Sequence, residues 1–211
     1  WNVRVIEEAH AVILSERPTI TEPDGTESPY SGIGISFGAG RVNCVLSYKG
    51  VQVIGMSAAR SGDWIDLKTA EGTVGVQNVA LVTNYKEREL DFDRIDELSL
   101  DEKTGDIAVA LDTYYESMIR YVFSLFSKKF QEVKSQFEAP LDIVVAGGTS
   151  TPKGFIGKLT KVVDGLALPF KIKEIRHARD PRNAVVEGCL AHAIVSQKKL
   201  EKDKIDAMLE K

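Results

Sequence analysis

The sequence predicts an α/β fold, and three observations carry that expectation. Three short apolar runs, Ile33 to Phe37, Val42 to Tyr48 and Val51 to Ala58, follow one another with only Gly38-Ala39-Gly40 and Lys49-Gly50 between them. Strand-length runs split by glycine turns read as a three-stranded antiparallel meander. Ile107, Leu111, Tyr114, Met118, Tyr121 and Leu125, then Phe130, Val133 and Phe137, recur at helical spacing up to Pro140. One long amphipathic helix, unbroken or broken once, accounts for them. Leu141 to Ala146 is a nearly continuous apolar run closed by two glycines, as a strand buried on both faces of a sheet would be.

The remaining elements follow in order. Asn2 to Ile6 alternates and is β-branched, and Glu7 to Ser15 carries Ala9, Ala11, Val12 and Leu14 in a helical setting, so a strand and a short helix are predicted. Glu16 to Ser31 holds Pro18, Pro23, Gly25 and Pro29, a density of breakers that makes it a loop or linker. Residues 67–104 are polar and mixed and fit a small inserted subdomain. Pro152 to Val163 starts a helix, Phe170 to Ile175 reads as a strand, and Asn183 to Gln197 as a helix whose face includes Val186, Leu190, Ala193 and Ile194. A charged helical stretch ends the chain. The order βββ, insertion, α, β, α, β, α has no internal repeat.

Composition excludes several function classes. The 211 residues carry 27 Lys+Arg against 31 Asp+Glu, a net charge of −4. A binder of DNA or RNA needs a basic excess that this chain lacks, so no nucleic-acid partner is expected. No apolar run approaches the roughly 20 residues of a membrane span, and no signal-peptide pattern precedes the first motif, so a cytoplasmic location is expected. Cys44 and Cys189 stand in no metal-ligand spacing and read as small apolar residues; no metal site is expected from side chains alone. His10, His177 and His192 are scattered and read as surface or satisfied core histidines. The chain opens at Trp1 without an initiator Met, as a fragment of a longer protein would.

Two glycine-rich turns each follow an apolar strand: Ser36-Phe37-Gly38-Ala39-Gly40-Arg41, and Gly147-Gly148-Thr149-Ser150 with Gly154 beyond it. Without a Cβ in the way, backbone N–H groups at such turns approach a phosphate or a purine face closely. Either turn taken singly is equally a tight hairpin or a plain strand-to-helix connection, and neither is a Walker loop or a complete Gly-x-Gly-x-x-Gly fingerprint.

Taken in order, five segments resemble the sugar kinase, heat-shock chaperone and actin superfamily. Val5 to Ala11 is similar to the "I-x-E-P-x-A-A" segment that closes the first lobe in DnaK-type chaperones and in the bacterial actin MreB. Ile35 to Asn43 resembles the second phosphate loop, "D-x-G-G-G-T-x-D", and Ser61 to Asp66 the "G-G-x-x-F-D" after the third strand. Val144 to Gly154 resembles the adenosine motif, "L-x-G-G-x-S-x-x-P-x", and Asp180 to Gly188 the "D-P-D-E-A-V-A-x-G-A" of the chaperone branch. The resemblance is to the second ATPase lobe only. It implies an RNase H-like mixed five-stranded sheet with helices on its faces. The organisation it implies is the end of the first-lobe connection and a linker in 1–31, a nucleotide-binding lobe in 32–66 and 105–198, the insertion in 67–104, and a C-terminal helix in 199–211.

The function so implied is adenine-nucleotide binding, with ATP and Mg²⁺ as cofactors in the complete protein. Phosphates would rest on Gly38, Ala39 and Gly40, with Ser36, Arg41 and Asn43 beside them. Adenosine would be bounded by Gly147, Gly148, Thr149 and Ser150. Glu8 stands at the family's "E-P" glutamate, where a carboxylate can position the water that attacks the γ-phosphate; Glu7 shares that position's ambiguity, and either acid equally suits the first turn of a helix. Ala9 replaces the usual proline. Ser36 replaces the leading aspartate and Asn43 the trailing Asp or Thr, so charge that would orient Mg²⁺ is missing and hydrolysis is weakened. Arg41 replaces a small residue and either offsets phosphate charge or faces solvent. The first phosphate loop is absent from these residues, so ATPase activity is expected only where the missing first lobe completes the clamp. In the complete protein, nucleotide would close the two lobes about a hinge. The output, whether substrate handling, self-assembly or a protein partner, is left open. The rival is a nonhydrolysing nucleotide-sensing scaffold or assembly adaptor of the same fold. An RNase H-type nuclease would need clustered carboxylates, the first of which Ser36 removes.

Overall fold

The computed structural model describes residues 3–16, 20–21, 25, 27–28, 30–73, 77–133 and 139–209. An extended segment, residues 3–7, leads into helix α1 (Glu8–Leu14). A two-residue pair, β1 (Ile20–Thr21) with β2 (Glu27–Ser28), precedes the meander β3 (Gly32–Phe37), β4 (Val42–Tyr48) and β5 (Val51–Ala58). Helices α2 (Gly62–Gly72), α3 (Val79–Arg88), α4 (Ile95–Leu98) and α5 (Gly105–Phe130) follow. Then come β6 (Leu141–Ala146), α6 (Phe155–Asp164), β7 (Ile172–His177) and α7 (Ala184–Leu209).

The main sheet has five strands in the order β5-β4-β3-β6-β7. Its first three strands are antiparallel neighbours, and β6 and β7 run parallel to β3. This is the mixed α/β sheet that the sequence implies. The apolar run of β6 is buried on both sides because alternate residues serve different layers. Ile143 and Val145 join Ile33, Ile35, Phe37, Phe155 and the α5 stripe Ile107, Leu111, Tyr115, Met118, Val122, Phe126 and Phe130. Val144 and Ala146 face the other way, with Val12 and Ile13 of α1 and Ala184 of α7. Val82, Tyr85, Leu90 and Phe92, from the segment 67–104, belong to the same core as the sheet and α5. The long helix ends where Lys128 and Lys129 meet its carboxyl terminus, a favourable charge placement. Val133 lies in the turn beyond, and Phe137 lies outside the described residues.

Helix α1 lies between the sheet and α7, with Ala9, Ala11, Val12 and Ile13 fully buried. At Gly188 of α7 an added Cβ would stand 1.8 Å from the Ala11 carbonyl oxygen, so only glycine permits the two helices to approach so closely. This packing corrects two expectations. The α7 residues facing the body are small, and Val186, Leu190 and Ile194 are 70%, 61% and 46% exposed. Hydrophobicity picks the larger side chains as the inner face, whereas close backbone contact selects the smaller ones. Residues 3–7 form no strand, and Val5 is 96% exposed; β-branched alternation makes a strand only where a neighbouring strand pairs with it. Helix α7 runs continuously across residue 198, where the sequence suggests a division between the lobe and a terminal helix. His10 is half-buried, and its Nε2 has no hydrogen-bond partner among the described residues. Cys44 is buried and Cys189 exposed, both free.

Candidate functional site

Strands β3 and β6 are parallel neighbours, so their carboxyl ends lie side by side, the position at which open α/β sheets take ligands. The turn after β3 is closed by the Gly38 N–H donating to the Arg41 carbonyl at 3.0 Å. The N–H groups of Ala39 and Gly40 have no partner among the described residues, and both residues are exposed. The turn's carbonyls face inward: that of Gly38 accepts from the Gly62 N–H at 3.2 Å, and that of Ala39 from the Asp63 N–H at 2.9 Å. The amino end of α2 is thereby fixed beneath the turn.

The turn after β6 sits directly against the first. Gly147 has φ +97°, and a Cβ there would stand 2.4 Å from the Phe37 carbonyl oxygen, so both the dihedral and the contact demand glycine. Its N–H donates to the Pro181 carbonyl at 2.8 Å. The Gly148 N–H has no partner among the described residues, and the space beside its Cα is open. Thr149 joins the two turns by donating its hydroxyl to the Gly38 carbonyl at 3.0 Å. Below this floor the Tyr115 hydroxyl donates to the Thr149 carbonyl at 3.0 Å, and burial pushes the Tyr115 phenol well above its ordinary pKa. The Ser150 hydroxyl donates to the Gly147 carbonyl at 2.7 Å, and the Ser150 carbonyl lies 2.8 Å from His177 Nε2.

On the α1 face the acidic and polar candidates converge. Ser36 is the cross-strand partner of Asn43, and Asn43 of Ser57, so the three side chains form a row on one face of the sheet. The Asn43 amide donates to Glu8 Oε2 at 2.9 Å, and Ser36 Oγ lies 3.4 Å from the same oxygen. Arg41 Nη1 reaches Ser57 Oγ at 3.5 Å on the exposed rim. Glu7 is not part of this contact, because its carboxylate lies over Gly55 of β5. A groove of about 500 Å³ runs between, lined by Glu7, Glu8, Asn43, Met56 and Ser57. The far end of α1 is anchored by Glu16, which is buried and accepts from the Arg179 N–H at 3.0 Å and from the Arg176 guanidinium.

Sequence reasoning missed Ser57, Tyr115 and His177 as supports of this site, whereas Gly62 lies in the Ser61 to Asp66 segment singled out by resemblance. Only cross-strand register could have signalled Ser57, and nothing local distinguishes Tyr115 from the other core aromatics. Among the described residues no group of three or more His, Cys, Asp or Glu is placed to hold a metal ion, and no helix is long and apolar enough to cross a membrane.

This mixed five-stranded sheet with helices on its faces has the actin-like ATPase fold. The solved structure of the ethanolamine utilization protein EutJ from Carboxydothermus hydrogenoformans is similar, with a TM-score of 0.53 and 18% identity over 86% of this chain. The match covers 52% of that chain, so the protein spans about half the length of that structure. The Volactin family model matches residues 2–193, and the chain belongs to the Volactin family, which is distinct from the DnaK-type chaperones and MreB whose motifs it resembles. Among curated proteins none matches the chain.

Proposed function

We propose that the cleft at the ends of β3 and β6 binds an adenine nucleotide, and that this chain is the nucleotide-binding lobe of an actin-like ATPase working in the cytoplasm. The observation that carries this reading is the lacing of the two turns. One floor, joined by the Thr149 hydroxyl, presents the unpartnered N–H groups of Ala39, Gly40 and Gly148. Unpaired N–H groups in a glycine-rich turn favour bound anion. The Ala39–Gly40 turn would hold phosphates, and the Gly147–Ser150 turn would border adenosine. Arg41 on the rim supplies positive charge. The donor set fits a nucleotide better than a protein-bound cation: the side chain at position 36 is a neutral hydroxyl, so Mg²⁺ would arrive on the phosphates and supply charge neutralisation there. Glu8, held against the sheet, orients water near the phosphate end. Residues 1–31 would connect to a first lobe that completes the clamp, and 67–104 would act as an insertion on the lobe. Filament assembly or a protein partner is the output that closure of such a clamp would control.

The test is titration of the full-length protein with ATP, ADP and GTP, with and without Mg²⁺, followed by phosphate release. Saturable ATP binding that weakens on Arg41→Ala and on Gly148→Val supports the reading; an affinity untouched by both changes sinks it. Ser36 favours a second reading, a nonhydrolysing nucleotide-sensing scaffold. Ser36→Asp in the intact protein separates them: a large gain in Mg²⁺-dependent phosphate release points to the scaffold, and unchanged release in a protein already active points to the ATPase.

A further inference from the structure

Arg60 follows β5 and precedes α2, and its half-buried side chain packs against α5. Two aromatic rings hold its guanidinium: Cζ lies 4.9 Å from the ring centroid of Trp64 and 4.5 Å from that of Tyr121, both within cation–π range. Trp64 is itself fixed by an edge-on contact with Tyr114 at 5.7 Å. Nη1 donates to Ser117 Oγ at 3.2 Å, and the other guanidinium N–H groups have no partner among the described residues. The Ser117 hydroxyl, accepting from Arg60, keeps its own proton to donate elsewhere. Arg60, Ser117 and Tyr121 wall an open cleft of about 570 Å³ that also takes in Asp112, Glu116 and Arg120. It shares no residue with the groove beside Glu8.

The charges of this cleft do not cancel. Glu116 is held by Arg120 at 2.8 Å and by Lys158 at 3.5 Å, and Asp112 by Lys158 at 2.8 Å. Both carboxylates are thus committed, and among the described residues no carboxylate pairs with Arg60. The cations Arg60, Arg120 and Lys158 stand against Asp112 and Glu116, a local surplus of one positive charge in a chain whose net charge is −4. We infer that Arg60 and Ser117 form a docking site for one carboxylate, supplied by a Glu or Asp side chain of a protein partner. The edge of a guanidinium matches a carboxylate through paired N–H groups. The two rings already restrict this guanidinium, so little order is lost on binding. One surplus charge is balanced by one carboxylate; a phosphate monoester, with nearly two negative charges, would leave an excess beside Glu116 and Asp112. Pockets for small free molecules enclose most of their ligand, whereas this cleft is open along α5 and suits a side chain presented by another protein.

The test titrates the full-length protein with a peptide carrying one carboxylate in a neutral frame, acetyl-Gly-Ser-Glu-Ser-Gly-amide, and follows the emission of Trp64, whose ring touches Arg60. Saturable binding that weakens as salt is raised is expected, with none for the counterpart that carries Gln in place of Glu. Arg60→Gln should weaken binding about tenfold or more, and Arg60→Lys nearly as much, because the charge stays and the planar fork is lost. Glu116→Gln should act in the opposite direction and tighten binding about threefold, since it releases Arg120 to the ligand and removes a like charge. A role of Arg60 confined to packing gives no such gain. Absence of saturable binding to the unmodified protein overturns the inference, as does unchanged affinity in an Arg60→Gln protein that denaturation shows to be folded. Should Arg60→Gln fail to fold, Glu116→Gln decides, and equal or weaker binding there overturns the inference. Acetate that binds as tightly as the peptide overturns the protein partner, and inorganic phosphate that displaces the peptide better than acetate does overturns the carboxylate.

Discussion

The Thr149 hydroxyl donates to the Gly38 carbonyl across 3.0 Å, so a residue of the β6 turn holds the β3 turn in place. The same carbonyl also accepts from the Gly62 N–H at 3.2 Å, so it is not orphaned when Thr149 is changed. Thr149→Val should therefore cost only the net worth of one hydrogen bond, about 0.5–1.5 kcal/mol in a urea unfolding series. Its effect on nucleotide affinity should be larger in proportion, because the two turns lose their mutual register. Thr149→Ser should restore affinity, and a Val variant that binds as tightly as the unmodified protein would show that the turns act separately.

Helix α7 offers a direct contrast between two neighbouring positions. A Cβ at Gly188 would stand 1.8 Å from the Ala11 carbonyl oxygen, whereas Leu190 is 61% exposed. Gly188→Ala should destabilise by about 1–3 kcal/mol or more, since backbone cannot yield as a flexible side chain does. Leu190→Gln should change stability of this chain by less than about 0.5 kcal/mol. Equilibrium denaturation of the two variants side by side decides it, and equal losses would mean that the helix is seated differently.

These two positions also show where sequence reading stops. The meander was legible because glycines punctuate its runs and each strand has a partner in the next. The mixed five-stranded sheet was implied by the resemblance carried by the motifs, whereas its strand order was not read from the sequence. The layering of α1 and α7 was not legible: an inner face made of Gly188 and Ala184 carries little hydrophobic signal, while Val186 and Ile194 carry much and point outward. Residues 3–7 have strand chemistry without a strand to pair with. In the site, Glu8, Ser36 and Asn43 could be read from motif positions. That they meet at one carboxylate oxygen, and that Glu7 turns away over Gly55, depends on the register of β3 with β4 and on the seat of α1. No local pattern encodes those.

A buried ion pair braces the helices beneath the site. Lys86 Nζ lies 2.6 Å from Asp66 Oδ1, with side chains 8% and 5% exposed, and Thr83 donates to Asp66 Oδ2 at 2.7 Å. Lys86→Met leaves the carboxylate buried without its cation and should destabilise by about 3–5 kcal/mol. Removing both charges, as Lys86→Met with Asp66→Leu, should recover most of that loss. Calorimetry of the three proteins measures it, and a double variant no better than the single one would place the cost in packing instead of charge.

His10 makes stability depend on pH on the acid side. Burial lowers its pKa below the ordinary value of 6.5, with the Gly50 backbone and Glu7 opposing the shift and His192 adding to it. Between the lowered folded value and 6.5 the unfolded chain binds the proton and the folded chain does not, so stability rises with pH there. The contribution is complete above about pH 6.5 and is lost as pH falls through that window. His10→Gln removes the titrating group, so the difference in unfolding free energy between pH 7 and pH 5 should shrink in the variant relative to the unmodified protein. Glu7 and His192 remain in both proteins, so the comparison isolates His10. An unchanged pH slope in His10→Gln would mean that the imidazole is solvated in the folded state and that its unpartnered Nε2 finds water.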